Sequence, residues 1–468
     1  MRKTAAAITV VLLLIAAAFS ASAVTIEAGR IRPFDDNILT VTSEDGGRLT
    51  IEAVSGTIPL ENPVTNLPVE GGTVEIHWDG LSYNGEPLTP GSVTLRATLK
   101  GSDRTVEAAE IRRETGAPVP AVLCCLPAAQ EFYPDGKHVL KIEVAVSARG
   151  TYEVSIARKD DPEEILWHSR TTYSDRGVPI VLRWDGKGKN HKFCPPGEYI
   201  ISARSVFRGQ YVQTADLTIL EEPLPEPELT VTGSLIPADL EDDAAVWAAL
   251  MAPVAVGDGG EGKGLVLMKE KNARWSKERA GTVNCRTVGL EILEVYDDGW
   301  AKVAGWTQPD GKYTEGYVKQ DKLKMVRPNS RYGAVVDKKK QTLTVYENGK
   351  KIGTVMVSTG WTSAEDRSAD THSGVYLMGT RLDDFADYGH TYCYPVRIDG
   401  YNLIHQMGYV MSNGERDFSS EMETLGTSAS HGCIRVDARI TEENNGINAW
   451  WIWTHMGHDT KIIVIPED

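Results

Sequence analysis

The chain has 468 residues, 65 acidic and 49 basic, which gives a formal net charge of −16 at pH 7. Its length suits roughly three or four domains of about 100 to 150 residues each. The acidic balance argues against nucleic acid as a partner, because phosphate binding needs clustered basic residues. The six cysteines are too few for a dense disulfide framework and lack C-x-x-C spacing, which argues against a structural zinc site.

The N-terminal segment has the pattern of a secretory signal peptide. A charged start, Met1-Arg2-Lys3, precedes an apolar run from Ala5 to Phe19 and then an A-x-A cleavage site at Ala21-Ser22-Ala23. We therefore predict a signal peptide over residues 1–23 and a secreted mature protein. The apolar run is shorter than a typical membrane span, and an uncleaved N-terminal anchor is the alternative.

An internal repeat organises the first half of the chain. Two landmarks recur with the same offset of 106 residues: Trp78-Asp79-Gly80 then Pro90-Gly91, and Trp184-Asp185-Gly186 then Pro196-Gly197. Alternating apolar residues around them predict two β-sandwich modules, over residues 24–110 and 130–221. These resemble the immunoglobulin-like (Ig-like) domains of bacterial extracellular proteins, and the resemblance implies spacer or contact modules.

A linker and a smaller β-module follow. Residues 222–262 begin with a run of proline and glutamate that cannot form a helix, and then predict a short helix from Asp239 to Leu250. Residues 263–327 contain short β-runs and resemble a bacterial SH3-like domain, a small barrel that accompanies cell-wall enzymes. Its aromatic side chains either line a peptide groove or pack within the barrel: Trp300, Trp306 and Tyr317.

The last part of the chain is also rich in predicted strands. Two alternating runs, Thr342 to Tyr346 and Ile352 to Val357, flank Asn348-Gly349, which indicates a hairpin with a type I′ turn. A short helix is predicted near Ala449 to Met456, before a final strand from Lys461 to Ile465. The fold class is therefore multidomain and mainly β, with only short helices.

A candidate nucleophile lies near the C-terminus, in Ser430-His431-Gly432-Cys433-Ile434-Arg435. A cysteine nucleophile needs a neighbouring base and an open approach, which a histidine and a glycine supply. From the residues alone, either His431, on the same side of an extended segment, or the upstream His405 fits the base role. The main-chain N–H groups of Gly432 and Cys433 are candidate oxyanion donors.

Arg435 follows the cysteine by two residues. Its planar guanidinium can bind a substrate carboxylate with two parallel hydrogen bonds. An internal salt bridge is the structural alternative for the same side chain.

Residues 332–466 resemble the catalytic domain of the L,D-transpeptidases, the YkuD-like family of cell-wall enzymes. The resemblance rests on the leading hairpin, a Gly374-Val375-Tyr376 segment, the isolated His405 and the S-H-G-C-I-R motif. It implies that Cys433 is the nucleophile and that His405 is the base, with its ring held by the main-chain carbonyl of Gln406. It leaves His431 to shape the site.

The resemblance also implies the substrate, a peptidoglycan stem peptide, which we expect Arg435 and Ser430 to contact. It implies no metal and no organic cofactor. It places the protein at the cell wall or envelope, in cell-wall biogenesis and the maintenance of cell shape. It further implies that carbapenems acylate Cys433.

The chain departs from the family pattern in two places. The 24 residues between His405 and Ser430 exceed the usual family spacing, so we expect a longer loop over the site, Gly408 to Ala429. The T-P-x-G segment of the family reads His372-Ser373-Gly374 here. Four histidines lack comparable context and are interpreted as surface or core residues: His372, His390, His455 and His458.

These observations favour a secreted, monomeric peptidoglycan L,D-transpeptidase. It would hold a tetrapeptide stem as a thioester and transfer it to an amine, giving a three-to-three cross-link. One alternative is an L,D-carboxypeptidase or hydrolase that uses the same cysteine with water. Another is a wall-binding structural protein with an inactive catalytic domain, contacting the wall or other proteins through its Ig-like and SH3-like modules.

Overall fold

The computed structural model describes residues 11–13, 24–102, 105–173, 179–207, 211–237, 239–272, 278–309, 311–362, 368–400 and 402–467. The predicted signal peptide, residues 1–23, lies outside this description apart from residues 11–13. No helix within the described ranges is long and apolar enough to cross a membrane. The chain forms two compact units, residues 1–121 with 409–420, and residues 122–408 with 421–468.

The secondary structure is mainly β. The first repeat contains β1 (Val11–Leu13), β2 (Thr25–Ala28), β3 (Asn37–Ser43), β4 (Gly47–Ser55), β5 (Ile58–Val69), β6 (Gly72–Trp78), β7 (Gly91–Lys100) and β8 (Val106–Thr115). The second contains β9 (Val122–Pro127), β10 (Glu131–Phe132), β11 (Leu140–Val146), β12 (Gly150–Arg158), β13 (Ile165–Tyr173), β14 (Ile180–Trp184), β15 (Gly197–Ser205) and β16 (Val212–Ile219).

The linker and the small module contain α1 (Asp243–Met251), β17 (Val254–Gly257), β18 (Gly264–Met268), β19 (Arg279–Asn284), β20 (Glu291–Val295), β21 (Trp300–Thr307), β22 (Lys312–Lys319) and β23 (Leu323–Val326). The last part contains β24 (Tyr332–Asp337), β25 (Thr342–Glu347), β26 (Lys350–Ser358), β27 (Gly374–Leu377), β28 (Phe385–Asp387), β29 (His390–Tyr392), β30 (Val396–Asp399), β31 (Asn402–Gln406), β32 (Val410–Ser412), β33 (Glu415–Asp417), α2 (Ser419–Met422), β34 (Ile434–Val436), α3 (Ala449–His455) and β35 (Lys461–Ile465).

Each repeat folds as two sheets around one apolar core. In the first, sheets β1-β6-β3-β2 and β5-β4-β7-β8 share a core that includes Leu39 and Leu95. In the second, sheets β10-β16-β15-β12-β13 and β14-β11-β9 share a core that includes Ile142 and Tyr199. Both are β-sandwiches in this sense, while their assignment to the Ig-like class stays a prediction.

The 106-residue repeat is confirmed by equivalent contacts. The indole N–H of Trp78 donates to the carbonyl of Leu81 at 3.2 Å, and that of Trp184 to the carbonyl of Lys187 at 2.9 Å. In each copy the aspartate after the tryptophan accepts a main-chain N–H two residues on, at 3.1 Å. The tryptophan and aspartate therefore close the same turn at the end of β6 and of β14.

Within the first unit, residues 409–420 pack against the first sandwich. They include the hairpin β32–β33, whose Gly414 carbonyl accepts the N–H of Ser92 at 2.9 Å. Arg416 of the same hairpin lies 3.9 Å from Glu86, and both side chains are buried. The segment expected as a long loop, Gly408 to Ala429, thus contains a hairpin and the short helix α2.

The small module consists of the sheet β19-β18-β22-β21-β20 and the antiparallel pair β17–β23. Pairing of Val254 with Val326 means that its strands begin before residue 263, where the sequence placed the start of the SH3-like domain. Helix α1 precedes it, and the carboxylate of Asp242 caps its N-terminus by accepting the N–H of Ala244 at 2.9 Å. The SH3-like class of this module stays a prediction.

The last part is built on one eight-stranded sheet, in the order β27-β35-β24-β25-β26-β34-β31-β30. Asn348 and Gly349, between β25 and β26, have φ angles of 49° and 80°, which confirms the predicted type I′ hairpin turn. The predicted terminal helix and strand are confirmed as α3 and β35. The adjacent parallel strands β31 and β34 position the candidate site.

A half-buried ionic cluster joins the small module to the end of the chain. The His458 ring lies 3.2 Å from Glu261 and 3.1 Å from Asp459, and Asp459 also pairs with Arg286 at 2.6 Å. Burial opposes the charged imidazolium, but the two carboxylates outweigh it and raise the pKa of His458 to about 9. The charged ring therefore stabilises the fold.

The raised pKa of His458 predicts that the protein loses folding stability as the pH becomes alkaline. Because the folded pKa of His458 exceeds its unfolded value of about 6.5, the contribution is complete below pH ~6.5 and is lost as pH rises through about 9. We expect His458→Gln to lower the free energy of unfolding on the order of 2 to 3 kcal/mol at pH 6 and far less at pH ~9.5. Thermal unfolding at both pH values measures this. An equal loss at both would contradict it, and the exposed His168→Gln serves as the control.

Candidate active site

Parallel pairing of β31 with β34 brings the candidate nucleophile and base to one face of the sheet. The register pairs His405 with Arg435, and two residues earlier along both strands the N–H of Leu403 lies 3.4 Å from Sγ of Cys433. Since side chains two residues apart share a face of a strand, Cys433 and His405 project from the same side. His405 and Cys433 lie far apart in the sequence, and the pairing of β31 with β34 brings their strands side by side.

The S-H-G-C segment forms a tight turn before β34. The hydroxyl of Ser430 donates to the carbonyl of Cys433 at 2.5 Å and accepts the N–H of Gly432 at 3.2 Å. Thr371 donates to the carbonyl of Gly432 at 2.9 Å. Gly432 has φ of 110°, a region that favours glycine. These contacts fix the direction in which Cys433 leaves the turn.

A second testable consequence concerns this glycine. A Cβ at position 432 would overlap the side chain of Asn402, in addition to straining the positive φ by about 1–3 kcal/mol. Since displacing the nucleophile by ~1 Å costs on the order of 10²-fold in rate, we expect Gly432→Ala to lower kcat/KM by about that factor. Gly85→Ala is the matched control, because Gly85 has φ of 80° with no atom near its Cβ position. Full activity in Gly432→Ala would contradict the expectation.

His405 is almost completely buried and its ring is held in one tautomer. Its Nδ1 lies 2.7 Å from the carbonyl of Gln406, so Nδ1 carries the proton and Nε2 is left as an acceptor. The rings of Tyr392 and Phe385 meet it edge to face, with centroids 4.9 Å and 5.4 Å away. The aromatic contacts and the carbonyl together fix the orientation of the imidazole.

Burial favours the neutral forms of both candidate groups, the Cys433 thiol and the His405 imidazole. Burial lowers the pKa of His405 to about 4, assisted by the positive charge of Arg435 and opposed by the Gln406 carbonyl. Burial also raises the pKa of the Cys433 thiol, with the Leu403 N–H and Arg435 acting in the opposite direction. No hydrogen bond joins Sγ to the imidazole among the described residues. Burial therefore opposes a preformed pair of Cys433 thiolate and His405 imidazolium.

Arg435 is held beside His405 by two residues that the sequence did not single out. Its guanidinium lies 3.0 Å from the carboxylate of Glu421 and 5.6 Å from the centre of the Tyr392 ring. The hydroxyl of Tyr392 donates to the same carboxylate at 3.2 Å. The internal salt bridge considered for Arg435 is thus present. Its Nε is buried and has no hydrogen-bond partner within the described ranges.

The remaining predicted site residues have separate positions. His431 is exposed and stacks on Tyr388 with ring centres 6.2 Å apart. Ser430 is fully buried, and its hydroxyl bonds within the turn to the Cys433 carbonyl and the Gly432 N–H. The Gly432 N–H donates to Ser430, so it would have to share or exchange that bond to serve an oxyanion. Substrate contact by Ser430 and oxyanion binding by Gly432 stay predictions.

The altered family segment is buried against the small module. The His372 ring stacks on Trp306 with centroids 4.4 Å apart and an interplanar angle of 7°. The indole N–H of Trp306 also donates to the carbonyl of Ser373. His372 and Trp306 therefore act in packing between the two parts of this unit, in agreement with the interpretation of His372 as a core residue.

Tyr392, Phe385, Glu421 and Asn402 are the site residues that sequence reasoning missed. Phe385 and Tyr392 lie on the short hairpin β28–β29, whose aromatic composition was the one available signal. Glu421 lies on the short helix α2, 16 residues after His405. No local pattern indicates that its carboxylate reaches Arg435.

A buried imidazole and a thiol that project from the same face of the sheet make a candidate site for cysteine acyl transfer. Residues 331–464 match the family model described as the L,D-transpeptidase catalytic domain, YkuD. This part of the chain is an L,D-transpeptidase catalytic domain.

The relatives extend this comparison. The protein named "Putative L,D-transpeptidase YciB" of Bacillus subtilis (strain 168) is 25% identical over 191 residues, covering 40% of this chain and 87% of that protein. A solved L,D-transpeptidase from Mycobacterium smegmatis is 14% identical with a TM-score of 0.24, covering 43% of this chain and 100% of its own. One from Xylanimonas cellulosilytica is 23% identical with a TM-score of 0.20, covering 30% and 63%.

Proposed function

We propose that this chain is a secreted peptidoglycan L,D-transpeptidase of the cell wall or envelope, in which Cys433 is the nucleophile and His405 the base. The observation that carries the proposal is the placement of both side chains on one face of β31 and β34, within an L,D-transpeptidase catalytic domain. The N-terminal signal pattern supports export. The catalytic chemistry needs no further group.

In the first step, Sγ of Cys433 attacks the carbonyl carbon of the diamino acid at the third position of a tetrapeptide stem. The thiol proton passes to Nε2 of His405, and main-chain donors near Gly432 and Cys433 stabilise the oxyanion. The carbon–nitrogen bond then breaks, and the terminal D-alanine leaves with the proton from the imidazolium. The stem remains bound to the enzyme as a thioester.

In the second step, the amine of a neighbouring stem attacks the thioester carbonyl. It loses a proton to His405, the carbon–sulfur bond breaks, and the thiolate recovers that proton. The product is a three-to-three cross-linked dimer and the free thiol enzyme. The neutral resting state suits both steps, because the imidazole must begin each as a proton acceptor.

Arg435 is proposed to bind a carboxylate of the stem. The ion pair with Glu421 holds its guanidinium in place, and its buried Nε has no partner within the described ranges. The ion pair with Glu421 neutralises part of the positive charge of Arg435. Binding of a stem carboxylate would therefore rely on directed hydrogen bonds more than on net electrostatic attraction.

The experiment that tests the function is incubation of the purified mature protein with a disaccharide tetrapeptide, followed by mass spectrometry of the products. We expect release of D-alanine and formation of dimers with a three-to-three linkage. Tripeptide without dimer would support the hydrolase that uses the same thiol. Neither product, together with no covalent adduct on Cys433 after carbapenem treatment, would support the inactive wall-binding alternative and contradict the proposal.

A further inference from the structure

Residues 370–373, here called the anchor segment, contact the turn that precedes Cys433 and take no part in the proposed proton transfers. The hydroxyl of Thr371 donates to the carbonyl of Gly432 at 2.9 Å and accepts the N–H of Gly360 at 2.8 Å. Thr371 is 2% exposed, so both hydrogen bonds are shielded from water. One side chain therefore joins the nucleophile turn to the segment that follows β26.

The main chains around this hydroxyl are also closely packed. A Cβ at Gly360 would lie 2.7 Å from the main-chain N of Thr371 and 2.8 Å from Cα of Gly432, closer than a real Cβ can approach. The next N–H along the chain, that of Trp361, donates to the carbonyl of Ser430 at 2.9 Å. The nucleophile turn is therefore held by main-chain contacts as well as by the Thr371 hydroxyl.

The anchor segment is itself fixed on both sides of Thr371. The carboxylate of Asp370 accepts a hydrogen bond from Nζ of Lys338 at 2.5 Å, and both side chains are buried. Breaking such a pair is costly, because a lone charge would remain in the interior. On the other side, the His372 ring stacks on Trp306 of the small module. Thr371 thus lies between two residues whose positions are set by buried contacts.

The peptide unit between Gly432 and Cys433 links this arrangement to the reaction. In a planar trans peptide, the C=O and N–H groups point in opposite directions. Holding the Gly432 carbonyl toward Thr371 therefore turns the Cys433 N–H away from it. That N–H has no hydrogen-bond partner among the described residues, whereas the Gly432 N–H donates to Ser430. Of the two candidate oxyanion donors, the Cys433 N–H is therefore the free one.

We propose that Thr371 is a positioning residue, whose hydroxyl fixes the Gly432–Cys433 peptide so that the Cys433 N–H keeps one direction while Sγ attacks. The inference rests on the proposed role of Cys433 as the nucleophile. Thr371 acts through the peptide unit and contacts no reacting atom. The hydroxyl carries the effect and the methyl group does not, which separates this role from simple packing.

A selectively labelled peptide bond tests the geometry. Cys433 is the one cysteine in the sequence that follows a glycine, so ¹³C-carbonyl glycine with ¹⁵N-cysteine gives one carbonyl–amide signal in the purified mature protein. We expect Thr371→Val to move the Gly432 carbonyl carbon upfield, because it loses a hydrogen bond, and Thr371→Ser to leave it near the wild-type position. Thr460→Val is the matched control, since Thr460 is also buried and donates to the carbonyl of Gly457 at 2.8 Å. An unmoved signal in Thr371→Val would overturn the proposal.

Kinetics with the tetrapeptide stem supply the second readout. Thr371→Val should lower kcat for dimer formation on the order of 10²-fold, the loss typical of a displaced oxyanion donor. The KM for the stem should stay close to that of the wild type, because Thr371 does not contact the substrate. Thr371→Ser should recover most of the rate. Thr460→Val should retain it, and thermal unfolding checks that each variant is folded. A wild-type rate in Thr371→Val, or an equal loss in Thr460→Val, would overturn the proposal.

The two readouts separate this inference from the proposed function. If the wild type forms neither dimer nor tripeptide, the proposed function fails, and the carbonyl signal then decides alone whether Thr371 fixes the peptide. If the wild type is active and the signal moves without a change in kcat, the proposed function stands and the positioning role of Thr371 is overturned.

Discussion

Cys433→Ser is expected to abolish dimer formation, with a loss of roughly 10⁴-fold or more in kcat. A serine hydroxyl is far harder to deprotonate than a thiol, and a base whose pKa is lowered to about 4 cannot compensate. The partly buried position admits a serine without new contacts, so the fold should persist. Product analysis by mass spectrometry measures the loss.

Cys194→Ser provides the matched control for this variant. Cys194 is a free, buried thiol in the second sandwich. It should therefore retain dimer formation, while thermal unfolding checks that both proteins are folded. Comparable activity in Cys433→Ser and Cys194→Ser would show that Cys433 is not the nucleophile.

His405→Asn should lower kcat/KM by about 10²- to 10⁴-fold, the usual contribution of a general base. In the wild type, the competent form is the neutral ring, and its pKa of about 4 keeps it neutral above pH ~5. The rate should therefore be flat from pH ~5 to ~8 and fall below that range. An ordinary histidine would place the acid limb near pH ~6.5. A profile of kcat/KM against pH measures this.

His431→Asn distinguishes the two histidines. Because His431 is exposed and stacks on Tyr388, its substitution should alter kcat/KM by much less and leave the position of the acid limb unchanged. A larger loss in His431→Asn than in His405→Asn would reverse the assignment of the base.

Alkylation of Cys433 offers a separate check on the neutral resting state. Since burial raises the pKa of this thiol, reaction with iodoacetamide should be slow at neutral pH and accelerate toward alkaline pH. Fast alkylation at pH ~6 would indicate a thiolate already paired with an imidazolium.

Local patterns predicted those parts of the fold that short-range chemistry specifies. The type I′ turn at Asn348-Gly349 needs two residues with positive φ, and the sequence supplies them. The Trp-Asp-Gly repeat was recognisable because each tryptophan and aspartate closes its turn with residues two or three positions away. Helix α1 was predicted from Asp239 to Leu250 and forms from Asp243 to Met251, because the carboxylate of Asp242 caps its first turn.

The contacts that the sequence did not reveal depend on long-range packing. The contacts of Glu421 with Arg435 and Tyr392 depend on the pairing of β34 with β31, which joins distant parts of the chain. Residues 409–420 pack with the first sandwich, although they lie within the catalytic segment of the chain. The small module begins at Val254, earlier than expected, because β17 pairs with β23 across about seventy residues. No local periodicity encodes such partners.

The most direct test of the central claim is the capture of the acyl-enzyme. Wild-type protein would be mixed with a tetrapeptide donor without an acceptor amine, quenched in acid, and studied by intact-mass spectrometry and peptide mapping. We predict an added mass equal to the donor minus D-alanine, located on Cys433 and released by neutral hydroxylamine. Turnover of the donor without an adduct, or an adduct on another residue, would contradict the account.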